Sequence, residues 1–166
     1  GTYNQKKLWL SLIASGKTIL TSSFGSNLTN NLPSLTRVNS KIIISGLVFE
    51  VLNAKNADNV LIKVKDENSG KDFLIVATID SDNIVQKTFT TIDGRQFSEL
   101  SFSNYEISEE DIIGASPISS DANAKIKAFG ALMYAAEQYG SAAAAFDLTL
   151  DYLKNREQFG KIIGTF

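Results

Sequence analysis

From Thr18 to Ile107 the chain is a succession of short β-branched and apolar runs parted by polar turns. Thr18–Thr21, Thr36–Val38, Lys41–Ser45, Leu47–Leu52, Asn59–Lys65, Asp72–Thr78, Ile84–Thr91, Gln96–Phe102 and Asn104–Ile107 all read as strands. In Asn59–Lys65 the alternation is clean, with Val60, Ile62 and Val64 on one face. Asp66 to Gly70 is a hairpin turn, and Asp93-Gly94-Arg95 is another. A loop rich in Ser, Asn, Gly and Pro fills 22–34. Short strands at regular spacing predict an antiparallel sandwich or small barrel.

Both flanks change texture. Residues 4–15 place Leu8, Trp9, Leu12 and Ile13 in a helical stripe, and Gly16 reads as the stop. A boundary falls at 112–117. Beyond it Ser119-Ser120-Asp121 offers an N-cap, and residues 121–158 read as helical, with Ile126, Phe129, Met133, Ala136, Ala143, Phe146 and Leu150 in rhythm. Gly130 and Gly140 suggest close packing or a kink between two helices. The expected architecture is α+β: the tail of a helical domain (1–16), a β-barrel-like middle domain (17–117), and the start of a helical bundle (118–166). A first residue other than Met, and a long helix without partners, suggest a piece of a longer chain.

Composition narrows the chemistry. The 166 residues carry no Cys and no His. That removes thiol nucleophiles, Ser-His-Asp arrangements and the usual zinc ligands, so no metal site is expected and any chemistry must use carboxylates, a lysine or a borrowed cofactor. A net charge of −2 without a basic stripe argues against nucleic acid. No apolar run approaches the roughly 20 residues that span a membrane. The absence of Cys fits a cytoplasmic location. Glu109-Glu110-Asp111 reads as a solvated cluster, and Ser22, Ser23 and Ser26 as loop residues.

The stretch Asn155-Arg156-Glu157-Gln158-Phe159-Gly160 sets an arginine and an aromatic ring three apart, on about one helix face. An arginine fork suits phosphate, and a ring can cover a flat cofactor. The plainer reading is a charged helix end with one core aromatic.

Several stretches, in order along the chain, resemble the acyl-CoA dehydrogenase family. Residues 1–16 look like the end of its N-terminal helical domain. Thr21-Ser-Ser-Phe-Gly-Ser-Asn27 resembles its Thr-Glu-Pro…Gly-Ser-Asp loop. Val38-Asn-Ser-Lys-Ile-Ile-Ile-Ser-Gly46 resembles its Asn-Gly-x-Lys-x-Trp-Ile-Thr strand. Asn56-Ala57-Asp58, Asp111-Ile-Ile-Gly114 and Arg156-x-x-Phe159-Gly160 resemble three later motifs.

The resemblance implies a middle β domain with the start of a four-helix bundle, from an FAD-dependent enzyme of fatty acid metabolism that desaturates an acyl-CoA between its α and β carbons. It implies that Thr21 and Ser45 hydrogen-bond the flavin, and that Gly25 and Ser26 lie near the pyrophosphate. Arg156 and Phe159 would reach the FAD of a neighbouring subunit. Ile43 holds the place of the family's flavin-facing Trp, Ser22 that of the loop Glu, and Asn27 that of its Asp. The implied partners are acyl-CoA, an electron-transferring flavoprotein or similar acceptor, and other subunits of a homo- or hetero-oligomer. The catalytic carboxylate would lie outside this chain, so the chain by itself is expected to be inactive. An alternative is a non-catalytic subunit that completes a partner's FAD site. A third reading is a β domain with a binding role and no redox partner.

Overall fold

The computed structural model describes residues 1–23 and 32–166. Contacts divide them into two units, Gly1–Ile118 and Ser119–Phe166. The architecture is α+β, a curled seven-stranded sheet in the first unit and one long helix in the second.

Helix α1 spans Tyr3–Ala14. Thr2 caps it through a reciprocal pair: its hydroxyl accepts the Gln5 N–H, and the Gln5 side chain accepts the Thr2 N–H at 2.9 Å. The helix stops at Gly16, as expected. With φ at +68°, Gly16 lets its own N–H reach the Ile13 carbonyl and that of Lys17 reach Leu12. The Leu8–Ile13 stripe is present, but no residue of α1 is buried within the unit. Gln5 fastens the helix instead. Its amide donates to the Glu110 and Ile112 carbonyls and accepts the N–H of Gly114, all within 2.9 Å.

The strands are β1 (Leu20–Ser23), β2 (Ser34–Val38), β3 (Lys41–Leu52), β4 (Asn59–Asp66), β5 (Asp72–Thr78), β6 (Ile84–Thr90) and β7 (Gln96–Ile107). The hairpins β2–β3, β4–β5 and β6–β7 are antiparallel, as is β3 with β7. In addition β4 runs parallel to β1 and to the start of β2, which curls the sheet toward closure. Alternation places Val60, Ile62 and Val64 inward with Leu35, Ile44, Ile75, Leu100 and Ile112. Each such side chain contributes about 1.5–3 kcal/mol of burial.

Two details of the strand assignment need correction. The first strand is Leu20–Ser23 rather than Thr18–Thr21, because Thr18 and the Ile19 N–H are spent on the Asp58 carboxylate. The segments Lys41–Ser45 and Leu47–Leu52 form one strand, as do Gln96–Phe102 and Asn104–Ile107. What reads as a break at Gly46 and at Ser103 is a β-bulge, where Ser103 and Asn104 of β7 face the single residue Ser45 of β3. A second irregularity leaves Phe49 and Glu50 opposite Glu99, with Glu50 at φ +56°.

In the second unit, α2 runs unbroken over Ser120–Asn155, 36 residues, capped by Ser119, whose hydroxyl accepts the Ala122 N–H at 3.1 Å. Gly130 and Gly140 mark no kink, and a Cβ on either would meet nothing within 4 Å. The helix ends at Asn155, three residues before the expected end at Gln158, because Arg156 is extended. Glu157–Gln158 (β8) and Lys161–Ile162 (β9) then pair as a small hairpin. No helix among the described residues is long and apolar enough to cross a membrane.

Candidate functional site

The outer face of β3, opposite the core, carries Lys41, Ile43 and Ser45. Pairing sets Thr36 and Glu106 beside Ile43, and Ser34 beside Ser45. The hydroxyl protons along this strip are mostly spent. Ser34 donates to the Ser45 carbonyl at 3.2 Å and Thr36 to the Ile43 carbonyl at 3.5 Å. Ser45 differs: its Oγ accepts the Asn104 N–H at 3.3 Å. Among the described residues its own proton has no acceptor, so Ser45 is the hydroxyl here that can still donate.

Ile43, a half-buried aliphatic, gives this strip an apolar patch between Thr36 and Glu106, without an aromatic face. Lys41 and Glu106 neutralise each other at 2.7 Å at the end of the strip.

Thr21 sits on β1, where the sheet curls toward β3. Its hydroxyl donates to the Leu52 carbonyl at 2.6 Å, and the Ser23 hydroxyl donates to Phe49 at 3.1 Å. Strand β2 pairs β3 only as far as Ser45, so carbonyls farther along that edge lack a ladder partner, and these side chains satisfy two of them. Thr21 therefore retains lone pairs for a ligand but no free proton. Gly25 and Ser26 lie outside the described residues.

Arg156 and Phe159 belong to the second unit, and they do not share a helix face. Phe159 and Gly160 form the two-residue turn of the β8–β9 hairpin, with φ of +52° and +78°. Arg156 stands at the base of that hairpin: its N–H still bonds Tyr152, and its carbonyl accepts the Ile163 N–H at 2.8 Å. The Arg156 guanidinium is exposed and makes no ion pair among the described residues. Phe159 is 92% exposed and meets Phe166 edge-on at 6.4 Å.

The acidic cluster at 109–111 is structural. Glu109 pairs with Arg37, and Asp111 accepts both the N–H and the hydroxyl of Ser108 at 2.8 Å. No group of acidic side chains suited to a metal occurs among the described residues. Three carboxyls elsewhere in this unit, Asp66, Asp72 and the exposed Asp93, are held below the usual range. Asp66, 5% exposed, accepts the Ser69 N–H, which outweighs its burial with help from the Ser69 hydroxyl, the Asn68 N–H and Arg37. Burial raises Asp72, but the Lys65 hydrogen bond and the charge of Lys63 overcome it.

Asn104 and Ser34 were not singled out in the sequence. The signal was there for Asn104: a Ser-Asn pair interrupting a strand is a turn-forming dipeptide where no turn is needed.

The strip fits the edge of a flavin ring in one respect, a hydroxyl donor in a half-buried apolar setting. It lacks a stacking surface. No family model matches the chain, and no curated protein matches it significantly. Solved structures do match, over its whole length. Butyryl-CoA dehydrogenase from Megasphaera elsdenii is 20% identical, with a TM-score of 0.88 over 100% of this chain and 46% of that one. A glutaryl-CoA dehydrogenase from Mycobacterium smegmatis in complex with FADH2 is 20% identical, with a TM-score of 0.80, over 100% and 44%. The ChsE4-ChsE5 complex from Mycobacterium tuberculosis gives 19%, 0.86, and again 100% and 44%. The chain thus spans less than half the length of these structures. In fold, the chain matches the middle β domain and the start of the helical domain of these dehydrogenases.

Proposed function

We propose that the chain is the middle segment of an FAD-dependent acyl-CoA dehydrogenase, whose complete form desaturates an acyl-CoA thioester between its α and β carbons. The observation that carries this reading is the match of all 166 residues to butyryl- and glutaryl-CoA dehydrogenases. When bound, the flavin supplies a two-electron acceptor, and the protein's part is to bind and orient it. Ser45 donates its free proton to the ring edge, and Ile43 packs against the ring. Thr21 offers its free lone pairs to a donor on the flavin, and by the family resemblance Gly25 and Ser26 fall near the pyrophosphate. Arg156 supplies charge-assisted bonds to phosphate in a neighbouring subunit, with Phe159 alongside. The base that removes the α proton would come from outside this stretch, and the implied redox partner would be an electron-transferring flavoprotein or similar acceptor.

The complete product of the gene that contains this stretch tests the reading. It should purify yellow, with flavin released on denaturation, and should oxidise acyl-CoA in the presence of an artificial electron acceptor. A folded, colourless product that FAD does not reconstitute would rule the reading out.

A second reading is favoured by Ile43, which offers no aromatic face on the strip. The chain would then belong to a subunit that lends Arg156 and Phe159 to a partner's cofactor. It requires a related chain, with an aromatic at the corresponding strand position, to co-purify. A homomeric product that turns over acyl-CoA alone excludes it.

A further inference from the structure

The bulge between β3 and β7 gives Asn104 a task that its side chain does not perform. Asn104 has φ +53°, a conformation that β-branched residues avoid and that asparagine tolerates. In that conformation its backbone N–H leaves the regular ladder and points at Ser45 Oγ, 3.3 Å away. Ser45 is pinned from two further directions. Its carbonyl takes the Ser34 hydroxyl, and the next residue, Gly46 at φ +128°, passes so close to the residue preceding β2 that a Cβ would stand 3.0 Å from Pro33 Cα. A hydroxyl oxygen that accepts one bond from a fixed donor has its own proton directed elsewhere.

From this arrangement we infer that Asn104 is a positioning residue: its backbone N–H orients the Ser45 hydroxyl as a hydrogen-bond donor toward a ligand on the outer face of the sheet. The ligand class is a flat ring with an acceptor at its edge. This rests on the flavin reading above. Asn104 does not touch the ligand and acts through Ser45 alone. What the position requires is left-handed backbone rather than an amide side chain, so glycine can replace asparagine there while valine cannot.

Two measurements test this. The first needs no flavin. In the chain itself, Ser45→Ala removes the acceptor, and hydrogen exchange at the Asn104 amide should quicken severalfold while the Ile44 and Val48 amides keep their rates. An unchanged Asn104 rate overturns the inference.

The second uses the complete gene product, stripped of flavin and titrated with FAD. Ser45→Ala should weaken binding roughly five- to tenfold, the worth of one neutral hydrogen bond. Asn104→Val should match it, and Asn104→Gly should bind like the parent. The double variant Ser45→Ala/Asn104→Val should bind no worse than Ser45→Ala. Losses that multiply in the double variant, or an Asn104→Gly loss as large as that of Asn104→Val, overturn the inference while leaving the flavin reading intact. If Asn104→Val does not fold, Asn104→Ala replaces it in the same cycle. A parent protein that folds but binds no FAD overturns both.

Discussion

Gly164 lies against Leu153 with no room for a side chain: a Cβ on Gly164 would stand 2.8 Å from the Leu153 carbonyl oxygen. This approach folds the last residues back onto the end of α2 and is completed by the bond from the Ile163 N–H to Arg156. Gly164→Ala should lift the hairpin off the helix, at a cost of about 1–3 kcal/mol. Amide exchange at Ile163 should rise by one to two orders of magnitude, with the middle of α2 unchanged. Exchange at the parent rate would show that the contact does not hold the hairpin.

Acid should weaken the β unit through Asp66 and Asp72. Both carboxyls are depressed in the fold, so their contribution is complete above the unfolded value near 3.9 and is lost as pH falls through the folded values. Asp66→Asn should destabilise the unit by roughly 1–2 kcal/mol at pH 7. The gap between the urea midpoints of parent and variant should narrow steadily as pH falls below about 4 toward the depressed folded value. A gap that stays constant from pH 7 to pH 3 would assign the loss to packing around the turn, not to charge.

Ser23 and Thr21 perform the same structural service but differ in the function proposed for them. Ser23→Ala strips the Phe49 carbonyl of its partner and should cost about 1 kcal/mol. Thr21→Val does the same to Leu52, at a more exposed position, and should cost less. Both changes should lower the melting temperature by a few degrees. FAD affinity in the complete gene product should fall for Thr21→Val beyond any change in Ser23→Ala. Equal affinities would confine Thr21 to closing the sheet.

Ile43 is the place where binding could be improved. A tryptophan there presents a ring on a face that is now aliphatic and half-open. Ile43→Trp should tighten FAD binding by about 0.5–1.5 kcal/mol and perturb the flavin absorption band. If the affinity does not change, the ring system does not lie over this part of β3.

Much of this architecture is legible without coordinates, for local reasons. Val60, Ile62 and Val64 alternate because one face of β4 is buried. Gly16 ends α1 because the backbone there must turn left-handed, and Ser119 caps α2 as its chemistry suggests. What stays hidden is set by neighbours distant in sequence. Alternation in β4 says which residues point inward but not that β1 and β2 lie parallel beside it. Arg156, Glu157 and Gln158 are good helix formers, so they extend the helix on paper; the hairpin partner Lys161–Ile162 takes them out of it. At the candidate site, residue type alone does not separate Ser45 from Ser34. They differ in where each proton goes, and the Ser103–Asn104 bulge decides that.

The turn at Phe159–Gly160 works against its own first residue. Two-residue turns with both φ angles positive favour asparagine or glycine at the first position, and a bulky ring is among the poorest choices. The ring is also left in solvent, touching little but the edge of Phe166. Phe159→Asn would therefore give a stiffer hairpin and a more soluble surface. Local frustration of this kind persists where something outside the segment rewards it. The hairpin thus carries a backbone cost that its own contacts leave uncompensated, one that burial of the Phe159 ring against another surface would offset.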